Sequence, residues 1–91
     1  MQIQLSGNID SGNASEVDKY IEAKIADKTP NCLIIDFEKV DHITSAGLRV
    51  FLKYEKKIGD IRIINVSQSV YTIFENIGFT AIMSVESPSV D

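Results

Sequence analysis

The sequence predicts an α/β fold: a single-domain (βα) superhelix whose four strands form a mainly parallel sheet, with the helices largely on one face. Two observations carry this. Strand-like and helix-like patterns alternate in the order βαβαβαβ, and such alternation implies parallel strands joined by crossover helices. Crossovers are right-handed in nearly all proteins, so strands that follow one another side by side put every helix on the same face. At 91 residues the chain has room for one domain, expected over residues 1–86, with residues 87–91 (Ser-Pro-Ser-Val-Asp) as a flexible tail.

The first strand is read at Gln2–Ser6. Asp10-Ser11-Gly12-Asn13 then gathers capping and turn residues, and Ala14, Val17, Ile21 and Ile25 recur at spacings of three and four, which predicts a helix over Ala14–Ala26. Lys28-Thr29-Pro30 stops it. Cys32–Phe37 is apolar without alternation, as expected for a central parallel strand covered on both faces. From Ser45 to Ile58 the pattern is helical: Leu48, Val50, Phe51, Leu52, Tyr54 and Ile58 fall on one arc, and Ser45, Arg49, Lys53, Lys56 and Lys57 lie opposite. Glu55 intrudes on the apolar arc. A third strand is read at Ile61–Val66 and a third helix at Ser69–Ile77, capped by Ser67 or Ser69 and closed by a left-handed Gly78. Ala81–Val85 is the last strand.

Composition narrows the function. A net charge of −4 argues against nucleic acid as a partner, since a phosphate backbone demands surplus Lys and Arg. A protein partner fits better. The lone cysteine, Cys32, forbids an intrachain disulfide or a cysteine-rich zinc site and reads as a buried thiol. The N-terminus lacks the basic flank and apolar core of a signal peptide, and no run approaches the roughly 20 residues of a spanning helix. Neither membrane insertion nor a cofactor or metal is expected, and the protein is assigned to the cytoplasm.

Chemistry concentrates at residues 41–48. Thr44 or Ser45 stands at the N-cap of the second helix, where unpaired N–H groups and the positive dipole end accommodate a phosphate. Ser45 opens a face that carries Arg49, Lys53, Lys56 and Lys57. That face reads either as a solvated surface or as a docking surface for an acidic partner, with Arg49 one turn beyond Ser45. Gly47 in a first helical turn implies a close approach, by a partner's backbone or by the sheet beneath. Asp10 and Asp41, at strand ends near the same loop, either cap turns or confront a phosphate on Ser45.

The run Asp41-x-Ile43-x-Ser45-x-Gly47-Leu48 resembles the signature of STAS domains, the family of bacterial anti-sigma factor antagonists and of the cytoplasmic tails of sulfate transporters. Leu5-Ser6-Gly7-Asn8-Ile9-Asp10 is similar to the family's first-strand exit. Val66-Ser67-Gln68-Ser69-Val70, with Phe74 and Ile77-Gly78-Phe79, is similar to its last strand–helix–strand unit, although Gln68 replaces the usual proline. The resemblance implies the superhelix already inferred. It also implies an anti-sigma factor antagonist that binds an anti-sigma factor serine kinase until the kinase phosphorylates Ser45, with a serine phosphatase to reset it; ATP and Mg²⁺ belong to the kinase. Thr44 and Ala46 replace the family's usual acid before the serine and hydroxyl after it, leaving Ser45 as acceptor and Thr44 as a minor candidate. Against the family pattern a leading strand and a closing helix are missing, so an open edge at Gln2–Ser6 or Ala81–Val85 is expected to give a weak homodimer.

Three other functions share single features with this sequence. A receiver domain phosphorylated on Asp36 lacks the acidic pair and the lysine that hold Mg²⁺ and phosphate. Hydrolysis by Ser45 with His42 as base lacks a Gly-x-Ser-x-Gly elbow, and His42 reads as an exposed loop residue. No catalytic residues are assigned and no enzyme is expected. A non-phosphorylated STAS scaffold, or accessory subunit of a transporter or other complex, stays open because of Thr44 and Ala46.

Overall fold

Ile3, Leu5 and Ile9 alternate with polar neighbours, and β1 (Gln2–Ile9) buries them beneath the helices while Gln2, Gln4 and Ser6 stay exposed. The computed structural model describes residues 1–26, 28 and 30–86; the expected tail lies outside them. After β1 come α1 (Ala14–Ile25), β2 (Leu33–Ile43), α2 (Ser45–Ile58), β3 (Ile61–Ile64), α3 (Gln68–Asn76), a 3₁₀ turn (Phe79–Ala81) and β4 (Ser84–Val85). The strands lie in the order β1-β2-β3-β4, all parallel. Each strand sits beside its chain neighbour, so the right-handed crossovers stack all three helices on one face. None of the described helices is long and apolar enough to cross a membrane.

One core lies between the layers. Phe37 of β2 meets Phe51 of α2 at 5.6 Å and Phe74 of α3 at 5.9 Å between ring centroids, and Phe74 stacks on Phe79 at 5.3 Å. These aromatic contacts tie β2, α2, α3 and the 3₁₀ turn together. Ile21, Ile25, Leu33, Ile35, Ile61 and Ile63 complete the layer.

Several expectations change: β1, expected to end at Ser6, runs to Ile9, and β3, expected to reach Val66, ends at Ile64. The second strand, expected to end at Phe37, continues to Ile43, so His42, expected in a loop, is a strand residue, and Asp41, expected at a strand end, lies within the strand; both are exposed. The register explains why periodicity hid them: β2 advances three residues from Asp36 to Lys39 while β1 advances two, and again two from Val40 to His42 while β1 advances one. Two bulges break the alternation. Within β2 only Leu33–Asp36 pair with β3, so the upper part of β2 runs on beside β1 alone and carries the start of α2 beyond the rest of the sheet. The last strand shrinks to Ser84–Val85 because Phe79 turns into the core as a 3₁₀ residue and Met83 is buried just ahead of the strand.

Cys32 is half-buried ahead of the strand, where its carbonyl accepts from the terminal ammonium at 3.2 Å. The sheet is covered on one face, not both. On its other face Asp36 is nonetheless only 7% exposed, because neighbouring side chains close over it. Its carboxylate accepts from the Glu38 N–H at 2.9 Å, from Asn65 Nδ2 at 3.1 Å and from Gln4 Nε2 at 3.4 Å, a link spanning three strands. Asn65 adopts a left-handed φ of 57°, which asparagine tolerates better than most residues.

Candidate functional site

The site is assembled where β1 and β2 end together. Ile9 pairs with Ile43, and the Ile9 carbonyl accepts the Thr44 N–H at 2.9 Å, so the β2–α2 junction is fastened to the end of β1. Thr44 is the N-cap, extended at φ −112° and ψ 174°, and its carbonyl accepts the Leu48 N–H at 3.1 Å. Ser45 is the first helical residue and is exposed.

Thr44 makes no side-chain cap. An N-cap threonine ordinarily accepts a hydrogen bond from the second or third N–H of its helix. Here its Oγ1 is buried and without a partner among the described residues. Among the described residues the first-turn N–H groups of α2 therefore have no side-chain acceptor, and the dipole end beside Ser45 is open to solvent or to an anion.

Gly47 touches the sheet. A methyl group there would stand 2.6 Å from Ile9 Cγ2 and 3.2 Å from the Ile9 carbonyl oxygen. Of the two readings of this glycine, packing on the sheet is the one with contacts behind it. Ile9, which the sequence did not single out, thus positions both Thr44 and α2; nothing in the sequence distinguishes it from other core isoleucines.

The acidic residues separate. Asp10 closes the turn after β1: its carboxylate accepts the Gly12 N–H at 2.8 Å, its own N–H donates to Asn13 Oδ1 at 2.8 Å, and Asn13 Nδ2 reaches the Asn8 carbonyl. The pairing of Ile9 with Ile43 brings this turn to the same end of the sheet as Ser45. Asp41 lies two residues before the end of β2, exposed. No hydrogen bond joins His42 to Ser45 among the described residues, and none of their His, Cys, Asp and Glu side chains forms a metal-binding cluster.

The basic face of α2 is divided. Lys53 Nζ lies 3.0 Å from Asp18 Oδ1, and Lys57 Nζ lies 2.7 Å from Glu22 Oε1, both carboxylates on α1. The Tyr54 hydroxyl sits between them, 2.7 Å from Glu22 Oε2 and in hydrogen-bond contact with Asp18. The hydroxyl of Tyr54 holds the Asp18 carboxyl below its ordinary value, with Lys53 assisting, and Lys57 followed by Tyr54 does so for Glu22. Burial, then the two carboxylates, pushes the Tyr54 phenol far above the usual tyrosine range. Arg49 and Lys56 are exposed and have no ion pair among the described residues. Lys53 thus belongs partly to the fold, and Arg49 and Lys56 are the cations on the Ser45 face without a carboxylate partner among the described residues, Arg49 being the one a single turn from Ser45. The sequence holds only part of the signal: Asp18 and Glu22 on one helix and Lys53 and Lys57 on the next are each one turn apart, but nothing in it shows that the two helices lie side by side.

A parallel superhelix with a serine opening its second helix defines a class. The STAS domain profile matches residues 1–91, and the chain belongs to that family. It is 32% identical over 85 residues to a Bordetella bronchiseptica protein named "Putative anti-sigma factor antagonist BtrV", covering 89% of this chain and 72% of the relative. The structure of the anti-sigma factor antagonist SpoIIAA in its unphosphorylated form superposes with a TM-score of 0.66 at 17% identity, over 97% of this chain and 79% of that one. A sulfate transporter family protein from Wolinella succinogenes superposes with a TM-score of 0.72 at 19% identity, over 89% and 68%. Both share the fold.

Proposed function

We propose that this protein is an anti-sigma factor antagonist in a cytoplasmic partner-switching circuit. Unmodified, it binds an anti-sigma factor serine kinase; transfer of the γ-phosphoryl group of ATP to Ser45 Oγ, with ADP as leaving group, ends the binding. A serine phosphatase returns the protein to its binding form. ATP and Mg²⁺ are brought by the kinase, and this chain contributes the acceptor hydroxyl and its surroundings. One observation carries the reading: Ser45 is exposed in the first turn of a helix whose N-cap side chain satisfies none of its N–H groups. The name of the Bordetella relative supports the same role.

The consequence for binding follows from charge. Phosphoserine adds about −1.5 to −2 charges at pH 7, which Arg49 and the helix dipole accommodate within the free protein. A partner carboxylate docked on that face then meets a phosphate, and such an uncompensated contact costs about 2–5 kcal/mol of binding. Kinase binding by Ser45→Ala is therefore expected to match the parent, while Ser45→Asp and Arg49→Glu weaken it, measured by calorimetric titration. Peptide mass spectrometry after incubation with kinase and ATP is expected to find phosphate on Ser45. Phosphate mainly on Thr44, or three variants that bind alike, would favour the non-phosphorylated scaffold or transporter-accessory role.

A further inference from the structure

Among the described residues β1 pairs only with β2, so its outer edge carries unpaired N–H and C=O groups. Proteins blunt such edges with charges, prolines or bulges. Gln2–Ile9 has no charge and no proline, and the extra residues of both bulges belong to β2. Only its far end is closed, by the Asn13 amide on the Asn8 carbonyl.

A groove of about 320 Å³ runs beside this edge, between Gln4 and Leu5 of β1 and Glu16, Val17 and Tyr20 of α1. The helix has three stripes. Ile21 and Ile25 enter the core, Asp18 and Glu22 engage α2, and Glu16 and Tyr20 line the groove beside the open edge, with Lys24 on the same stripe one turn beyond Tyr20. Tyr20 is 42% exposed, and Lys24 Nζ stands 5.4 Å from its ring centroid. Neither Glu16 nor Lys24 has an ion-pair partner among the described residues. They lie one turn before and one turn after Tyr20, with opposite charge.

That arrangement is complementary to itself. We infer that β1 pairs antiparallel with β1 of a second copy of this chain, about a two-fold axis near Gln4 and Tyr20. The axis sets Glu16 of each copy against Lys24 of the other, places the two Tyr20 rings side by side, and joins the two sheets into one. No like charges meet along the strands. One strand and one helix face bury less than the roughly 1,600 Å² of a standard interface, so the dimer is weak and concentration-dependent.

Analytical ultracentrifugation of the full chain across a concentration series tests this. A monomer–dimer equilibrium is expected, with Lys24→Glu or Glu16→Lys alone raising the dissociation constant about tenfold, since each removes two symmetry-related pairs and introduces repulsion. The double variant Glu16→Lys/Lys24→Glu is expected to return within about threefold of the parent. Circular dichroism melts at low concentration check that the variants remain folded. A monomer at every concentration would overturn the inference, as would a dimer that both single variants leave unchanged or that the double exchange fails to restore.

Discussion

A methyl group at position 47 would stand 3.0 Å from Ile43 Cγ1, in addition to its encounters with Ile9. Gly47 is therefore what lets α2 lie close to the ends of β1 and β2. Alanine has the better helix propensity, by up to about 1 kcal/mol, but part of the clash is with the Ile9 backbone, which cannot rotate away. Overpacking of this kind costs about 1–3 kcal/mol and outweighs the propensity. Gly47→Ala is expected to lower the urea midpoint; a variant as stable as the parent would show that α2 can lift from the sheet at little cost.

At the scale of the element, α1 and α2 are joined by Asp18, Glu22, Lys53, Tyr54 and Lys57. Asp18 and Glu22 are depressed in the fold, so their contribution is present above the unfolded carboxylate range and is lost as pH falls below about 4. Tyr54 is raised, so its contribution is intact below the ordinary tyrosine value of about 10 and declines as pH rises past it. Stability is thus expected to be flat between about pH 5 and 9 and to fall on either side, followed by denaturant titration at each pH. Tyr54→Phe is expected to cost about 1–2 kcal/mol at pH 7 and to soften the alkaline decline. An unchanged alkaline limb would assign that limb to other groups. The boundaries of α2 were legible because its apolar arc runs from Leu48 to Ile58 despite Glu55, and the structure closes the helix at Gly59, φ 91°, through an N–H bond to the Glu55 carbonyl. The partners of Lys53 and Lys57 were not: helical projection shows that a face is polar without showing which helix lies beside it.

For the whole molecule, the alternation of strands and helices was enough to read a parallel sheet with crossover helices, whereas the placing of successive strands side by side was assumed and the structure bears it out. The length of β2 was not legible, because Glu38, Lys39, Asp41 and His42 face solvent and two bulges disrupt the period of two. The link through Asp36 was hidden for a related reason: an aspartate in an apolar run gives no hint that Gln4 and Asn65 enclose it. Asp36→Ala leaves two side-chain amides and the Glu38 N–H without an acceptor and is expected to cost about 1–3 kcal/mol, read from thermal unfolding. A negligible change would mean that solvent replaces the carboxylate freely.

The sheet order also bears on how the chain reaches its native state. Every strand pairs with the strand before it in sequence. Only one crossover helix has to be traversed to close each contact, and loop-closure entropy stays small at every step. Folding can therefore proceed as a progression from the N-terminus: β1-α1-β2 forms a template, and each later βα unit finds a ready edge as it emerges from the ribosome. Among parallel-sheet topologies, in which distant pairing commonly slows folding, this one favours early assembly of the Ser45 junction, because both strands beneath it belong to the one β1-α1-β2 unit.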